Sequence, residues 1–578
     1  MARAKGTTTA TEPASATLQR FAETADAVGA TTKKLEKAAL LGAYFVALTD
    51  EDLSLAARYF AGHVFPLYDA RTTNVGGGML RDAISEVTGL EVENLRPRYV
   101  RLGDSGDVAF EAFAETKGTV NVTPTHTLAA THTLIESLSE TRGTKNKKAL
   151  LVSALTNATP SEAKYLVKLL VGDLRIGLKE GLVEDAVARA FGRPLADVAR
   201  VNMLTGDIGE TAVRARRGAL EGVEMRLFHP IKFMLATAAE TVEDVARTMP
   251  EEFYVEDKFD GIRGQAHVQS GRVALYTRTL DEVTHRFPEL IEPLKQLPSD
   301  AVLDGEIVPV RGESILPFLE LQKRLGRKTV SEELLAGVPV AFVAYDLLYA
   351  AGRVLTDAPL AERRAALEAL IKDEAVAVVR LSWAKMTGGV TGLDEEFDAA
   401  RARGNEGLMI KDPRSSYKPG KRGREWLKLK KAYATLDVVV TAVEVGHGKR
   451  RNLLSDYTFA VRRSEDDAEL LNVGKAYSGL TDAELAELTE WFRAHTVQEF
   501  AHGRVRVVEP KIVLEVTFDR VQESKRHKSG YALRFPRILR LREDKTPEEI
   551  DTLDTVRRIA RELAGEDEGA RVDASDEA

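Results

Sequence analysis

Residues Glu256–His267 read EDKFDGIRGQAH, with a lysine, an aspartate, a glycine and an arginine inside the six positions Lys258–Arg263 of a segment that otherwise alternates like a strand. A free lysine amine titrates near about 10.4 and is a weak nucleophile at neutral pH. Burial or a neighbouring cation lowers that value and frees the lone pair. Arg263 is such a cation and also a fork for phosphate. Asp260 suits either fixing the loop or orienting the amine, and Gly261 suits a turn where a side chain would block a ligand. The bland alternative is a surface pair between Lys258 and Asp260, worth ~0–1 kcal/mol. Taken alone, the stretch leaves the two readings evenly matched.

Working outward, FYVEDKFDGIRGQAHVQSGRVALYTRT reads as strand, loop, strand, Ser-Gly turn, strand. Arg278 closes that run, and further charged stations follow in order. LDGEIV carries Asp304, Gly305 and Glu306; AYDLLY carries Tyr345; EGLMIKD carries Glu406 and Lys411; WLKLKK carries Lys428 and Lys430. Each has an ordinary reading: an Asp-Gly turn between two apolar runs, a core tyrosine, an amphipathic strand with a solvated lysine face. As an ordered set they supply oxygen ligands for a divalent metal at Glu306 and Glu406, cations for phosphates, and an aromatic ring to stack on a base.

The chain has 578 residues, which suggests three large domains. It contains no cysteine, excluding disulfides, cysteine–zinc modules and thiol catalysis. The net charge of −8 argues against a general polyanion coat but not against a local basic face. Residues 1–16 are small and polar and read as a disordered leader without a secretory h-region. The apolar run VPVAFVAYDLLYAA is broken by Asp346 and reads as a buried strand, so a soluble, cytoplasmic protein with no membrane partner is expected. Residues 17–229 carry apolar positions at three- and four-residue spacing, as in LEKAALLGAYFVAL and DEDLSLAARYFAG, and predict an all-α domain. Thr159 followed by Pro160 predicts a helix start. Near Phe228 a connector, FHPIKFMLATAA, begins, and residues 230–431 predict an α+β domain. Residues 432–561 predict a small β-barrel of about five strands with one helix, TDAELAELTEWFRAH. Residues 562–578 hold seven acids against one arginine and read as a disordered acidic tail.

With these motifs in place, the chain resembles the covalent nucleotidyltransferase superfamily, and within it the three-domain ATP-dependent DNA ligases. The resemblance implies an all-α DNA-binding domain, an α+β nucleotidyltransferase (adenylation) domain and an OB-fold domain. It makes Lys258 the nucleophile that becomes adenylated and Glu256 a contact to the adenine. Arg263 and Arg278 would contact the ribose and phosphates, Glu306 the ribose or the metal, and Tyr345 would stack on the base. Glu406 would be a second metal-side carboxylate, with Arg422, Lys428 and the nearby Lys430 on the phosphates. In RLREDK, Arg542, Asp544 and Lys545 would close over ATP and orient the departing pyrophosphate. Met409, where the family more often has a β-branched residue, is a small departure. The implied reaction seals nicks in duplex DNA through lysine-AMP and 5′-adenylated DNA, using magnesium with manganese as an alternative, in replication, repair and recombination. A monomer is implied; no clear sliding-clamp peptide is visible.

The charge map agrees with a DNA-gripping surface. Arg401–Lys431 holds eleven lysines and arginines against three acids, and Arg520–Lys545 nine against three. In the helical half, RGTKNKK (Arg142–Lys148) and LRIGLKE are candidate backbone contacts, the first evenly balanced against a solvated face. An mRNA-capping guanylyltransferase or an RNA ligase would not need the helical half. An NAD-dependent DNA ligase carries a four-cysteine zinc module, and a non-catalytic scaffold would not need Lys258, Glu306, Glu406, Lys428 and Lys430 together.

Overall fold

The structure, a computed structural model, describes residues 16–117, 124, 126–325, 330–371, 378–429, 435–447, 450–501 and 503–564. The leader up to residue 15, Lys430 and the tail beyond residue 564 lie outside the described residues. The chain divides into two compact units, one holding residues 1–238 and 245–428, the other 239–244 and 429–578. No helix among the described residues is long and apolar enough to cross a membrane.

In the first unit, helices run from Leu18–Ala30 to Ile208–Arg217. Their starts follow local chemistry. The helix Pro160–Val171 opens at Thr159, whose hydroxyl accepts from the Glu162 N–H while the Glu162 carboxylate accepts from the Thr159 N–H, with Pro160 at the first position. It ends at Gly172, in the left-handed region at φ +79°. Phe21, Phe45, Tyr59, Phe60 and Tyr165 fill the helical core. Of the cations in RGTKNKK, Lys147 is buried and donates to the Thr73 carbonyl, and Lys148 pairs with Glu86 at 2.7 Å.

The rest of this unit is two sheets with helices such as Leu360–Leu370 and Leu393–Ala402 between their strands. One has the order β1-β12-β11-β2-β10, from β1 (Leu235–Ala239), β2 (Glu252–Lys258), β10 (Ala384–Gly388), β11 (Gly407–Lys411) and β12 (Arg422–Leu429). The other runs β4-β3-β5-β7-β8, from β3 (Ile262–Gln269), β4 (Arg272–Thr277), β5 (Ala301–Arg311), β7 (Val340–Ala350) and β8 (Arg353–Val354), with β6 (Ser314–Ile315) on β5 and β9 (Val379–Leu381) on β7. Phe259–Gly261 is therefore the crossing from one sheet to the other. The turn Ser270–Gly271, with both φ positive, joins β3 to β4.

Two expectations change here. Ala301–Arg311 is one continuous strand, not two runs around an Asp-Gly turn. Gly305 is needed for close packing, since a Cβ there would lie 2.6 Å from the Val343 oxygen and 2.7 Å from the Phe342 ring. The connector FHPIKFMLATAA contains a strand, β1, on the edge of the first sheet. Asp346, the acid that breaks the apolar run of β7, is wholly buried and takes Arg363 Nε at 2.8 Å and Nη2 at 2.9 Å.

The second unit is strand-rich, from β13 (Thr435–Val445) through β14 (Leu454–Arg462), β15 (Leu470–Ala476), β16 (Thr496–Phe500), β17 (Val505–Val508), β18 (Val513–Thr517), β19 (Arg520–Glu523) and β20 (Tyr531–Arg534) to β21 (Arg537–Leu541). The long β13 pairs with β14 on one edge and with β17 and β18 on the other. Its core is built on Val438, Tyr457, Phe459, Phe492 and Leu514. The helix Asp482–Ala494 starts at a Thr481/Glu484 capping box. There are more strands than the expected five or so, and a second helix, Leu553–Ala564. The β16–β17 hairpin escapes a periodicity reading because β16 is an exposed edge with no buried alternate row.

Candidate active site

Lys258 is the last residue of β2 and stands opposite Gly407 of β11. Its Nζ lies 2.5 Å from Glu406 Oε2, and its carbonyl accepts the Glu406 N–H at 2.7 Å. Both side chains are about one-fifth exposed. Alternation sends Glu256 to the same face of β2. Its buried carboxylate takes Lys411 Nζ at 2.7 Å. That ammonium lies 4.7 Å from the Tyr345 ring and 4.5 Å from the Trp426 ring.

Across the sheet crossing, Arg263 of β3 is in register with Glu306 of β5. Arg263 forks onto Asp304 with Nε at 3.1 Å and Nη2 at 2.7 Å, while Nη1 donates to the Met234 carbonyl at 2.7 Å. Burial disfavours its charge, but the charge and hydrogen bond of Asp304, with Tyr345 and Tyr417 beside it, together outweigh that and hold the guanidinium ionised. The Tyr417 hydroxyl adds a 2.7 Å bond to Asp304, which is wholly buried. Burial pushes the Glu306 carboxyl up to about 8; Lys258 and Arg263 oppose the shift and Glu406 and Asp304 add to it. Tyr345 reaches the same face by alternation from Val343, which pairs with Glu306, and a bulge in β7 follows. Asp304 pairs with Asp346 and Gly305 with Ala344, which leaves Tyr345 unmatched.

Gly261 does not act as expected. Its φ is not in the left-handed region, and an added Cβ would meet the Ile307 oxygen at 2.4 Å and Glu306 Cγ at 2.8 Å. It lets the crossing lie flat on β5, beside Glu306. On the opposite side of β2, Asp257 takes a fork from Arg403 and a bond from Asn405.

The structure thus brings Glu256, Lys258, Arg263, Glu306, Tyr345 and Glu406 together. Arg278 is exposed just after β4, Arg422 is exposed at the start of β12, and Lys428 is half-buried within β12. In the second unit, Arg542 Nη1 donates to both oxygens of Asp437, at 2.8 and 3.0 Å, and its Nε and Nη2 to Asp544. Lys545 donates to Asp437 at 2.6 Å. Asp304, Lys411, Tyr417 and Asp437 are the partners to which sequence reading gave no role. For Asp304, Lys411 and Asp437 the available signal was a charged residue inside an otherwise apolar strand, as in AVLDGEIV, GLMIKD and LDVVV; Tyr417, between β11 and β12, lies outside that pattern. Among the described residues no three His, Asp or Glu side chains cluster as a metal cage.

Residues 17–188 match the family described as "DNA ligase N terminus", residues 233–430 "ATP dependent DNA ligase domain", and residues 450–545 "ATP dependent DNA ligase C terminal region". The chain is 48% identical over 565 residues to the "Probable DNA ligase" of Koribacter versatilis, covering 94% of this chain and 96% of that one. It is 35% identical over 564 residues to "DNA ligase 2" of Methanosarcina acetivorans, covering 94% and 98%. The solved structure Pmar-Lig_Pre, 16% identical, covers 90% of this chain and 99% of its own with a TM-score of 0.59, a likeness of fold.

Proposed function

The chain belongs to the ATP-dependent DNA ligase family and is an enzyme that joins DNA strands; from that premise we propose that Lys258 is its nucleophile and that it seals nicks in duplex DNA. The observation that carries this reading is the part-exposed Lys258 side chain, its amine 2.5 Å from Glu406, beside Glu256 on β2 and within electrostatic reach of Glu306 on the other sheet, where Arg263 and Tyr345 also lie. Lys258 attacks the α-phosphorus of ATP, the N–P bond forms, and pyrophosphate leaves. The AMP then passes to the 5′-phosphate at the nick, and the adjacent 3′-hydroxyl displaces it to close the backbone. Little covalent help is required of the protein beyond positioning and charge neutralisation.

Each residue has a part in that reading. The Glu256 carboxylate, held on one oxygen by Lys411, accepts from the exocyclic amine of adenine. Tyr345 stacks on the base. Arg263, Arg278, Arg422, Lys428 and Lys430 bind ribose and phosphates, and Arg542 and Lys545 orient the pyrophosphate in the first step.

The pair Glu306 and Glu406 suits magnesium or manganese. Burial, with the neighbouring Glu406 and Asp304 charges, pushes the Glu306 carboxyl up to about 8, so a cation relieves an existing penalty. With only two such carboxylates, the ion would share substrate phosphate oxygens and water, as magnesium does. When bound it neutralises charge building on the phosphates.

Residues 17–229 grip duplex DNA, residues 230–431 perform adenylation, and residues 432–561 form the OB-fold domain. The basic stretches contact backbone phosphates without reading sequence. A cytoplasmic monomer serving replication, repair and recombination fits this reading; a sliding clamp has no motif to support it. The test is incubation with magnesium and α-labelled ATP or GTP, followed by a denaturing gel. Label from ATP is expected in the wild type and none in Lys258→Ala. Label that survives the substitution refutes the lysine, and label from GTP alone points to capping.

A further inference from the structure

The stretch EDKFDGIRGQAH ends in Gln265 and His267, both wholly buried and neither used by the chemistry above. With Arg263 they occupy alternate positions of β3, hence one face. Each grips the backbone of the connector Phe228–Met234, which links the helical region to β1. Arg263 donates to the Met234 carbonyl at 2.7 Å. The Gln265 amide brackets Ile231, Oε1 accepting its N–H at 2.9 Å and Nε2 donating to its carbonyl at 3.1 Å. His267 Nδ1 accepts the Phe228 N–H at 2.9 Å, which places the proton on Nε2, where it bonds Gln265 Oε1 at 2.7 Å. Burial pushes the imidazole down to about 3, so this arrangement holds at any working pH.

The other side of the connector belongs to the helical region. His229 Nδ1 bonds the Thr205 carbonyl at 2.8 Å, its ring stacks 3.8 Å from Tyr68, and Lys232 pairs with Glu180. Phe228 itself is left-handed, at φ +66°, a conformation that persists only when surroundings enforce it. His267 takes its N–H, the Tyr276 hydroxyl donates to its carbonyl at 3.0 Å, and Arg272 lies 3.9 Å from its ring.

We propose that Gln265 and His267 are positioning residues for the DNA-dependent steps, clamping the connector so that the DNA-gripping helical region is held in fixed register with Lys258. The proposal rests on the proposed function. It separates two kinds of step: lysine adenylation uses only the nucleotide pocket, whereas sealing needs the nick placed on that pocket to within a fraction of an ångström.

The test uses the full chain and two rates. One is protein–AMP formation without DNA, from α-labelled ATP. The other is single-turnover sealing of a pre-adenylated nick without ATP. His267→Phe and Gln265→Met should leave the first within about twofold and lower the second by about tenfold to a hundredfold. His267→Asn, whose amide oxygen replaces the Nδ1 acceptor, should be the milder histidine variant. Tyr276→Phe removes only the hydroxyl on the Phe228 carbonyl; it should fold normally and show the same split, several-fold. The proposal is overturned if both rates are unchanged, if both fall together, or if His267→Asn is as impaired as His267→Phe. A wild type that forms no protein–AMP overturns instead the reading of Lys258.

Discussion

Adding one methyl group at Gly261 tests whether the sheet crossing sets the geometry of the reaction. An alanine Cβ there would stand 2.4 Å from the Ile307 carbonyl oxygen and 2.8 Å from Glu306 Cγ, where real Cβ contacts stay beyond 3.0 Å and mostly beyond 3.4 Å. The obstacle is main chain of β5, so no side-chain rotation relieves it. The crossing must lift by about 0.6–1.0 Å, the difference between those distances. Lys258 lies three residues away at the end of β2, and Glu306 beside the clash, so both shift relative to each other. A misplacement of about 1 Å in a near-attack geometry costs roughly a hundredfold. Gly261→Ala should therefore reduce protein–AMP formation, followed with α-labelled ATP, by about tenfold to a hundredfold. Overpacking of this size should cost about 1–3 kcal/mol in urea unfolding, which the folded protein survives. Gly388→Ala is the control, the same change where nothing lies within 4 Å. Adenylation at the wild-type rate in Gly261→Ala would refute the reasoning, and so would an equal loss in Gly388→Ala.

Further outcomes follow from other parts of the structure. Asp304→Asn leaves the Arg263 guanidinium in a buried site without its counter-charge and should destabilise the first unit by about 3–5 kcal/mol in urea unfolding, against near-neutrality if the pair is dispensable. The Glu306 carboxyl, raised to about 8 in the folded protein, binds its proton more tightly there than in the unfolded chain. Its contribution to stability is complete below the unfolded value and disappears as pH rises through about 8. Without divalent metal, Glu306→Gln should accordingly gain on the wild type by a few kcal/mol between pH 6 and pH 9, and parallel pH profiles of the two proteins would contradict this. Affinity for nicked duplex, measured by anisotropy at several salt concentrations, should fall steeply with salt, and a flat profile would remove the phosphate-gripping surface. Thr159→Ala breaks a complete capping box and should cost about 1 kcal/mol by thermal denaturation.

Residue types in order carried much of this protein. Helical spacing, the Thr159–Pro160 start, the Ser270–Gly271 turn and the succession of charged stations are local signals, because each depends on a few neighbouring residues and elementary backbone chemistry. They were sufficient to place Lys258, Glu306, Tyr345 and Glu406 in one proposed site. Local signals failed where a residue's partner is distant in sequence. Gly261 and Asp-Gly-Glu at 304–306 both read as turns, yet one lies flat against β5 and the other sits in mid-strand, and only the neighbouring strands reveal why glycine is required. Lys411 reads only as one more cation of the charged series until β11 is set beside β2 and it closes on Glu256, 155 positions away. Gln265 and His267 looked like the tail of a strand. Their partner is a connector some 34 to 39 residues upstream, which no periodicity announces. The sequence by itself determined the elements and the inventory of chemical groups, since propensity and pattern act over a few residues. Which charges neutralise one another, which glycines must stay bare and what clamps the connector were decided only by tertiary packing, because those interactions depend on distances that close when the two sheets and the helical region come together.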